Sequence, residues 1–277
     1  AWSPKKFMTS RERINLMTEQ RLRFRNIFII ILAMFGMLTI KAGTILSADE
    51  NANLKEAANL VKAVEQKYHS TVYFHTDFIQ QIYPPYTTSP SAEATGRFSF
   101  AKPCLMRWEY RSPEEQVVVT YPSIGWLYAV KDKEVQVFDT TSFYKSVVAK
   151  AFLKSILESF EITEWSRSEN DPETFIVDLK PKGDDAQIAR VELVIHKPDA
   201  TLTRITVEDQ AGTKNVLIFT AQKWEKSFSQ DEFVPSIPRD VAISTDRGES
   251  ISYDEFMIKF KEKKGALDCS HESAIKK

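Results

Sequence analysis

Apolar and polar positions along the chain follow two periods, and the places where one gives way to the other mark its elements. In residues 53–68, Leu54, Ala57, Ala58, Val61, Val64 and Tyr68 recur at helical spacing while Lys55, Lys62 and Glu65 fall elsewhere, which predicts a helix with one apolar face. The period drops to two over 72–82. There Val72, Phe74, Phe78 and Ile82 share one face of a predicted strand, and His75, Asp77 and Gln81 share the other. Residues 84–95, rich in Pro, Ser and Thr, read as a rim loop longer than a hairpin needs.

Alternation returns at 98–110. Phe98 and Phe100 alternate with Ser99 and Ala101, then Met106, Trp108 and Tyr110 with Arg107 and Glu109, so two strands each offer one apolar face. Lys102-Pro103 marks the corner between them, because proline fixes its own φ and drives the preceding residue towards an extended conformation. Short strands at 116–120, 126–130 and 134–138 continue an antiparallel meander, joined by turns at 122–125 and 131–133.

A second helix is predicted over 142–160, where Phe143, Val147, Ala151, Phe152, Ile156, Leu157 and Phe160 form a stripe opposed by Lys145, Lys150, Lys154 and Glu158. Strands at 162–167, 174–179, 188–195, 202–208 and 214–224 follow, separated by polar turns. The expected fold is therefore α+β: a strongly curved antiparallel sheet of about eleven strands, an incomplete barrel with helices on its concave face. Residues 246–277 are charged, with a small amphipathic piece at 251–260, and read as an extension with a loosely docked helix and a disordered end.

At 277 residues and 43% hydrophobic, the chain can bury a sizeable core. Charge is uneven: eight of 37 Lys/Arg but only two of 38 Asp/Glu fall in residues 1–48, leaving the remainder at −7. So acidic a body argues against nucleic acid as a partner. Arg21, Arg23 and Arg25 precede an apolar run at 27–40, followed by small residues at Ala42-Gly43 and Ser47-Ala48, the layout of a secretory signal with Met17 as a start. Cleavage is expected after Ala48, with Ala42 as the alternative. An uncleaved anchor is disfavoured, since a spanning helix needs roughly twenty apolar residues. No cysteine lies near either point to carry acyl chains. Cys104 reads as a small buried hydrophobe, a bridge to Cys269 being the lesser option.

No Gly-x-Ser-x-Gly, His-Glu-x-x-His or phosphate-cradling loop is present, and the four histidines are scattered, which disfavours an enzyme and gives no catalytic residue, metal site or cofactor. His75 and Asp77 read as solvated neighbours on the outer face of a sheet.

The succession Arg97-Phe98-Ser99-Phe100, Lys102-Pro103, Trp108-Glu109-Tyr110, Pro113, Gln116 and Gly125-Trp126-Leu127-Tyr128 resembles the signature of the LolA family of periplasmic outer-membrane lipoprotein carriers. His75, Phe78 and Gln80, Phe175-Ile176-Val177 with Lys180-Pro181-Lys182, and Phe233 to Pro238 extend the likeness over roughly residues 53–241. The resemblance implies three parts: 1–48 extension and signal, 49–242 carrier domain, 243–277 charged extension. It also implies a monomer that shields lipoprotein acyl chains in a cavity, loaded by an inner-membrane ABC transporter and unloaded to an outer-membrane receptor. Phe74, Phe78, Phe98, Phe100, Met106, Trp108 and Trp126 would line the cavity, and Phe143, Val147 and Phe152 would belong to the lid. Lys102 stands where the family typically has a gating arginine, whose planar fork lysine cannot reproduce. Pro122-Ser123-Ile124-Gly125 likewise replaces an Asp-Gly turn. A carrier of another lipid or glycolipid, or a periplasmic lipoprotein-sensing regulatory module, are the alternatives.

Overall fold

The computed structural model describes residues 48–140, 147, 156–183 and 187–264. The apolar run at 27–40, Phe143 and Phe152 of the expected lid, and the end at 265–277 lie outside the described residues.

Helix α1 (Ala48–Ser70) buries Ala57, Leu60, Val61, Val64 and Tyr68, the stripe set by its spacing. It stops where the hydroxyls of Ser70 and Thr71 both donate to Lys67 O at 2.8 Å, occupying a carbonyl that another turn of helix would need. Strands β1 (Tyr73–Tyr83), β2 (Ala92–Ala101), β3 (Leu105–Ser112), β4 (Gln116–Tyr121), β5 (Ile124–Ala129) and β6 (Glu134–Phe138) form the first meander. A short helix α2 (Ile156–Ser159) leads into β7 (Phe160–Arg167), β8 (Thr174–Pro181), β9 (Ile188–His196), β10 (Thr201–Asp209) and β11 (Lys214–Glu225). The first turn of α2 is tied to α1 by Ile156 N donating to the buried Glu65 Oε1 at 2.6 Å.

These strands belong to one sheet of thirteen, ordered β13-β12-β6-β5-β4-β3-β2-β1-β11-β10-β9-β8-β7. The two meanders meet where β1 pairs antiparallel with β11. The last two strands come from the segment read as an extension: β12 (Ala242–Thr245) adds to β6 in parallel, and β13 (Ser250–Ile251) pairs antiparallel with β12. The order runs from one free edge to the other, and the sheet is neither closed nor strongly curled.

The expected strongly curved incomplete barrel is therefore corrected to an open sheet. The physical reason lies in how it is covered. A curled sheet hides one concave face, but this sheet packs an apolar cluster on each face. On the face carrying α1, Leu60, Val61, Val64 and Tyr68 pack with Phe74, Phe98, Phe100, Met106 and the core of β8 to β11. On the opposite face, Tyr121, Trp126 and Val135 pack against Phe233, Phe256 and Phe260.

Helix α3 (Tyr253–Lys264) supplies the last two of these. Its start is a capping box: Glu255 N donates to Ser252 Oγ at 3.2 Å, and Ser252 N donates to Glu255 Oε2 at 2.7 Å. Phe256 and Phe260 are 0% and 2% exposed, with ring centres 5.9 and 5.4 Å from Trp126. The loosely docked helix expected here is firmly seated, because its two phenylalanines, one helical turn apart, cover an indole that the sheet leaves uncovered. Cys104 is fully buried and disulfide-bonded, so it is more than a small hydrophobe; Cys269 lies outside the described residues.

Candidate functional site: an apolar sheet face under helical cover

Strand pairing fixes which side chains share the face beneath α1. Phe74 lies opposite Phe100, Phe100 opposite Met106, Met106 opposite Thr120, Thr120 opposite Gly125, and Gly125 opposite Phe138, so this row crosses six strands on one face. Phe98 pairs with Trp108 in the next layer, their ring centres 4.3 Å apart. Phe78 meets Trp108 edge-on at 5.1 Å and Tyr110 at 5.2 Å. It reaches them by lying over Gly96, where an added Cβ would meet its ring at 2.8 Å. Tyr110 Oη donates to Gln80 Oε1 at 3.1 Å, and burial pushes its phenol up to about 12.

Six of the seven wall residues are thereby brought into one cluster: Phe74, Phe78, Phe98, Phe100 and Met106 at 0–1% exposure and Trp108 at 6%. Val147 joins the same cluster from the segment between β6 and β7. Trp126 does not. It pairs with Val119 and Val137 in the row that runs through Arg107, on the other face, where it meets α3. Assigning it to the wall is corrected by strand parity: Gly125 takes the position facing α1, so its neighbour must face away.

Lys102 is exposed at the β2–β3 turn, where its backbone N–H donates to Val72 O at 3.0 Å. His75 and Asp77 lie on the face opposite α1, where the β1–β11 register shifts between them. His75 Nε2 is 3.0 Å from Glu225 Oε1, and Asp77 is 3.2 Å from Arg111 and 3.6 Å from Arg97. Both are thus spent in surface pairs. Among the described residues no three His, Cys, Asp or Glu side chains gather as a metal ion would require. A shallow depression of about 270 Å³ on that same outer face is lined by Arg190, Glu192, Arg204 and Lys214, a charged surface unsuited to an acyl chain.

Two polar groups inside the apolar cluster are absent from the expected site. Thr120 is completely buried in the row between Met106 and Gly125, and among the described residues neither its Oγ1 nor Trp108 Nε1 has a hydrogen-bond partner. A threonine in register with apolar neighbours on the adjoining strand was the available signal.

Residues 69–236 match the model of a family described as outer membrane lipoprotein carrier protein LolA. The chain belongs to the LolA family. An outer-membrane lipoprotein carrier protein of Shewanella woodyi is 24% identical to it over 205 residues, covering 74% of this chain and 90% of the relative. Another from Shewanella halifaxensis is 26% identical over 155 residues, covering 56% and 71%. Among solved structures, an uncharacterized conserved protein from Thermus thermophilus aligns with a TM-score of 0.46 at 16% identity, covering 69% of this chain and 99% of that one. Membership of the LolA family gives the chain a general role in carrying or sorting lipoproteins and places it in the periplasm.

Proposed function

We propose that the apolar face under α1 takes up the acyl chains of lipoproteins and shields them between the inner and outer membranes. The observation carrying this reading is that six large apolar side chains on β1 to β3 are buried in one cluster with residues from outside the sheet, Leu60, Val61, Val64 and Tyr68 of α1 and Val147 after β6. Such cover can lift without breaking a strand pairing. Each buried methylene is worth about 0.8 kcal/mol, so one sixteen-carbon chain represents on the order of 10 kcal/mol before ordering costs. A load of that size does not leave for water. It has to pass from groove to groove, which calls for an energy-driven inner-membrane ABC transporter to load it and an outer-membrane receptor to accept it. Lys102 is assigned to the gate at the mouth of the β2–β3 hairpin, as a point charge in place of a bidentate fork.

Mass spectrometry of the chain isolated from its own periplasm tests the cargo. A co-purifying triacylated lipoprotein is the expected result. A phospholipid or glycolipid would keep the groove and change the cargo, and a protein that stays empty after challenge with all three would sink the proposal.

A further inference from the structure

We infer that Trp108 and Thr120 form a polar grip inside the groove that hydrogen-bonds the carbonyl oxygen at the head of an acyl chain. The inference rests on the carrier reading and specifies which lipids the groove prefers. Both side chains belong to the face under α1, Trp108 opposite Val118 and Thr120 opposite Met106, so they are diagonal neighbours on β3 and β4. Cα atoms in that relation are about 7–8 Å apart, within the joint reach of an indole and a hydroxyl around one small group. Both are more than nine-tenths buried, and among the described residues neither Trp108 Nε1 nor Thr120 Oγ1 has a hydrogen-bond partner. Leaving a buried donor unmatched is costly, and two such groups on one face of adjacent strands call for a reason.

Their chemistry says what would match them. Indole N–H only donates, and a threonine hydroxyl has a proton to give, so the missing partner is an acceptor. A carbonyl oxygen has two lone pairs and can take both. The surroundings are apolar: the Phe98 and Phe78 rings lie 4.3 and 5.1 Å from the Trp108 ring, Met106 pairs with Thr120, and the Phe138 ring lies over Gly125 on the far side of Thr120. A buried water needs two to four polar partners, typically three, so this pair alone would hold one poorly. An ester or amide carbonyl brings its own apolar chain, which the aromatic wall would accommodate.

Isothermal titration with dioctanoylphosphatidylglycerol and its dioctyl ether analogue tests this, because the two differ in their carbonyls and both stay dispersed at low concentration. The wild-type chain is expected to bind the ester roughly tenfold or more tightly than the ether, one tenfold step being the low end of what two matched donors supply. Thr120→Val and Trp108→Phe should each narrow that ratio towards one, Thr120→Ser should restore it, and Thr120→Val should leave the thermal midpoint unchanged or raise it. Equal wild-type affinity for ester and ether overturns the grip and leaves the carrier reading standing. So does a marked fall in the Thr120→Val midpoint, which would reveal an existing partner for the hydroxyl. Binding of neither lipid, nor of a triacylated lipopeptide, overturns the carrier reading and the grip with it.

Discussion

Single atoms decide how the apolar face closes. At Gly125 an added Cβ would meet the Phe138 ring at 2.5 Å and Thr140 Cγ2 at 2.9 Å, and the ring is held by its own strand pairing. Gly125→Ala is therefore expected to cost about 1–3 kcal/mol by overpacking, read as a lower urea midpoint at unchanged slope. A wild-type midpoint would show that Phe138 swings aside freely. Lys102 is the contrasting case, since its side chain is exposed and its fixed contact is the backbone bond to Val72 O. Lys102→Leu should shift stability by no more than about 0.5 kcal/mol while changing the rate of lipid release, and unaltered release would remove the gate. At this scale the sequence was legible wherever large apolar residues alternate: Phe74, Phe78, Phe98, Phe100, Met106 and Trp108 share a face as their spacing requires. Trp126 falls outside the expected wall because parity, which aromaticity does not report, gives the inward position to Gly125 beside it. Thr120 is the converse case, a polar residue in an inward register.

At the level of elements, strands and first helix fell close to the periods that predicted them, while the end of the chain did not. The Ser252 to Glu255 spacing and the Phe256 and Phe260 pair were a visible helix start and docking stripe, yet a high density of charge in the same stretch obscured them. Phe256→Ala should cost about 3–5 kcal/mol, as expected for truncating a fully buried ring, and red-shift tryptophan emission by admitting water to Trp126. A loss under about 1 kcal/mol would mean that α3 is dispensable. Ahead of β12, the short helical turn Gln230–Phe233 is fastened to β1 by Tyr73 Oη, which donates to Glu232 at 2.7 and 2.8 Å. Burial first, then the Glu232 and Glu225 carboxylates, push the Tyr73 phenol up to about 12 from 10.0. Since the folded value is raised, the protonated phenol stabilises the fold fully below pH 10, and that contribution is lost as pH rises towards 12. Urea midpoints measured from pH 9 to 12 should fall more steeply for wild type than for Tyr73→Phe. Parallel curves would place the clasp's proton outside the stability balance, because the shared background from the similarly raised Tyr110 and Tyr121 cancels in the comparison.

The molecule as a whole departs from expectation in the number of covered faces. Alternating residues report which side of one strand is apolar, but curvature depends on what covers each side, and the second cover comes from residues more than a hundred positions away in sequence. That arrangement separates two tasks. The face with Trp126 is closed by a tail that adds strands to the sheet through β12 and β13, so lifting it would break backbone pairing as well as side-chain packing. The face with Trp108 shares its apolar cluster with α1, which adds no strand, and with Val147. If the face with Trp108 is the one that opens, cargo should change local opening on one side of the sheet only. Amide hydrogen exchange with and without a triacylated lipopeptide measures this directly. Large differences are expected in α1 and around Val147, with β12 and α3 unaltered. Equal changes in α3 and α1 would mean that the sheet responds as a unit, and the division between a fixed face and an opening one would have to be given up.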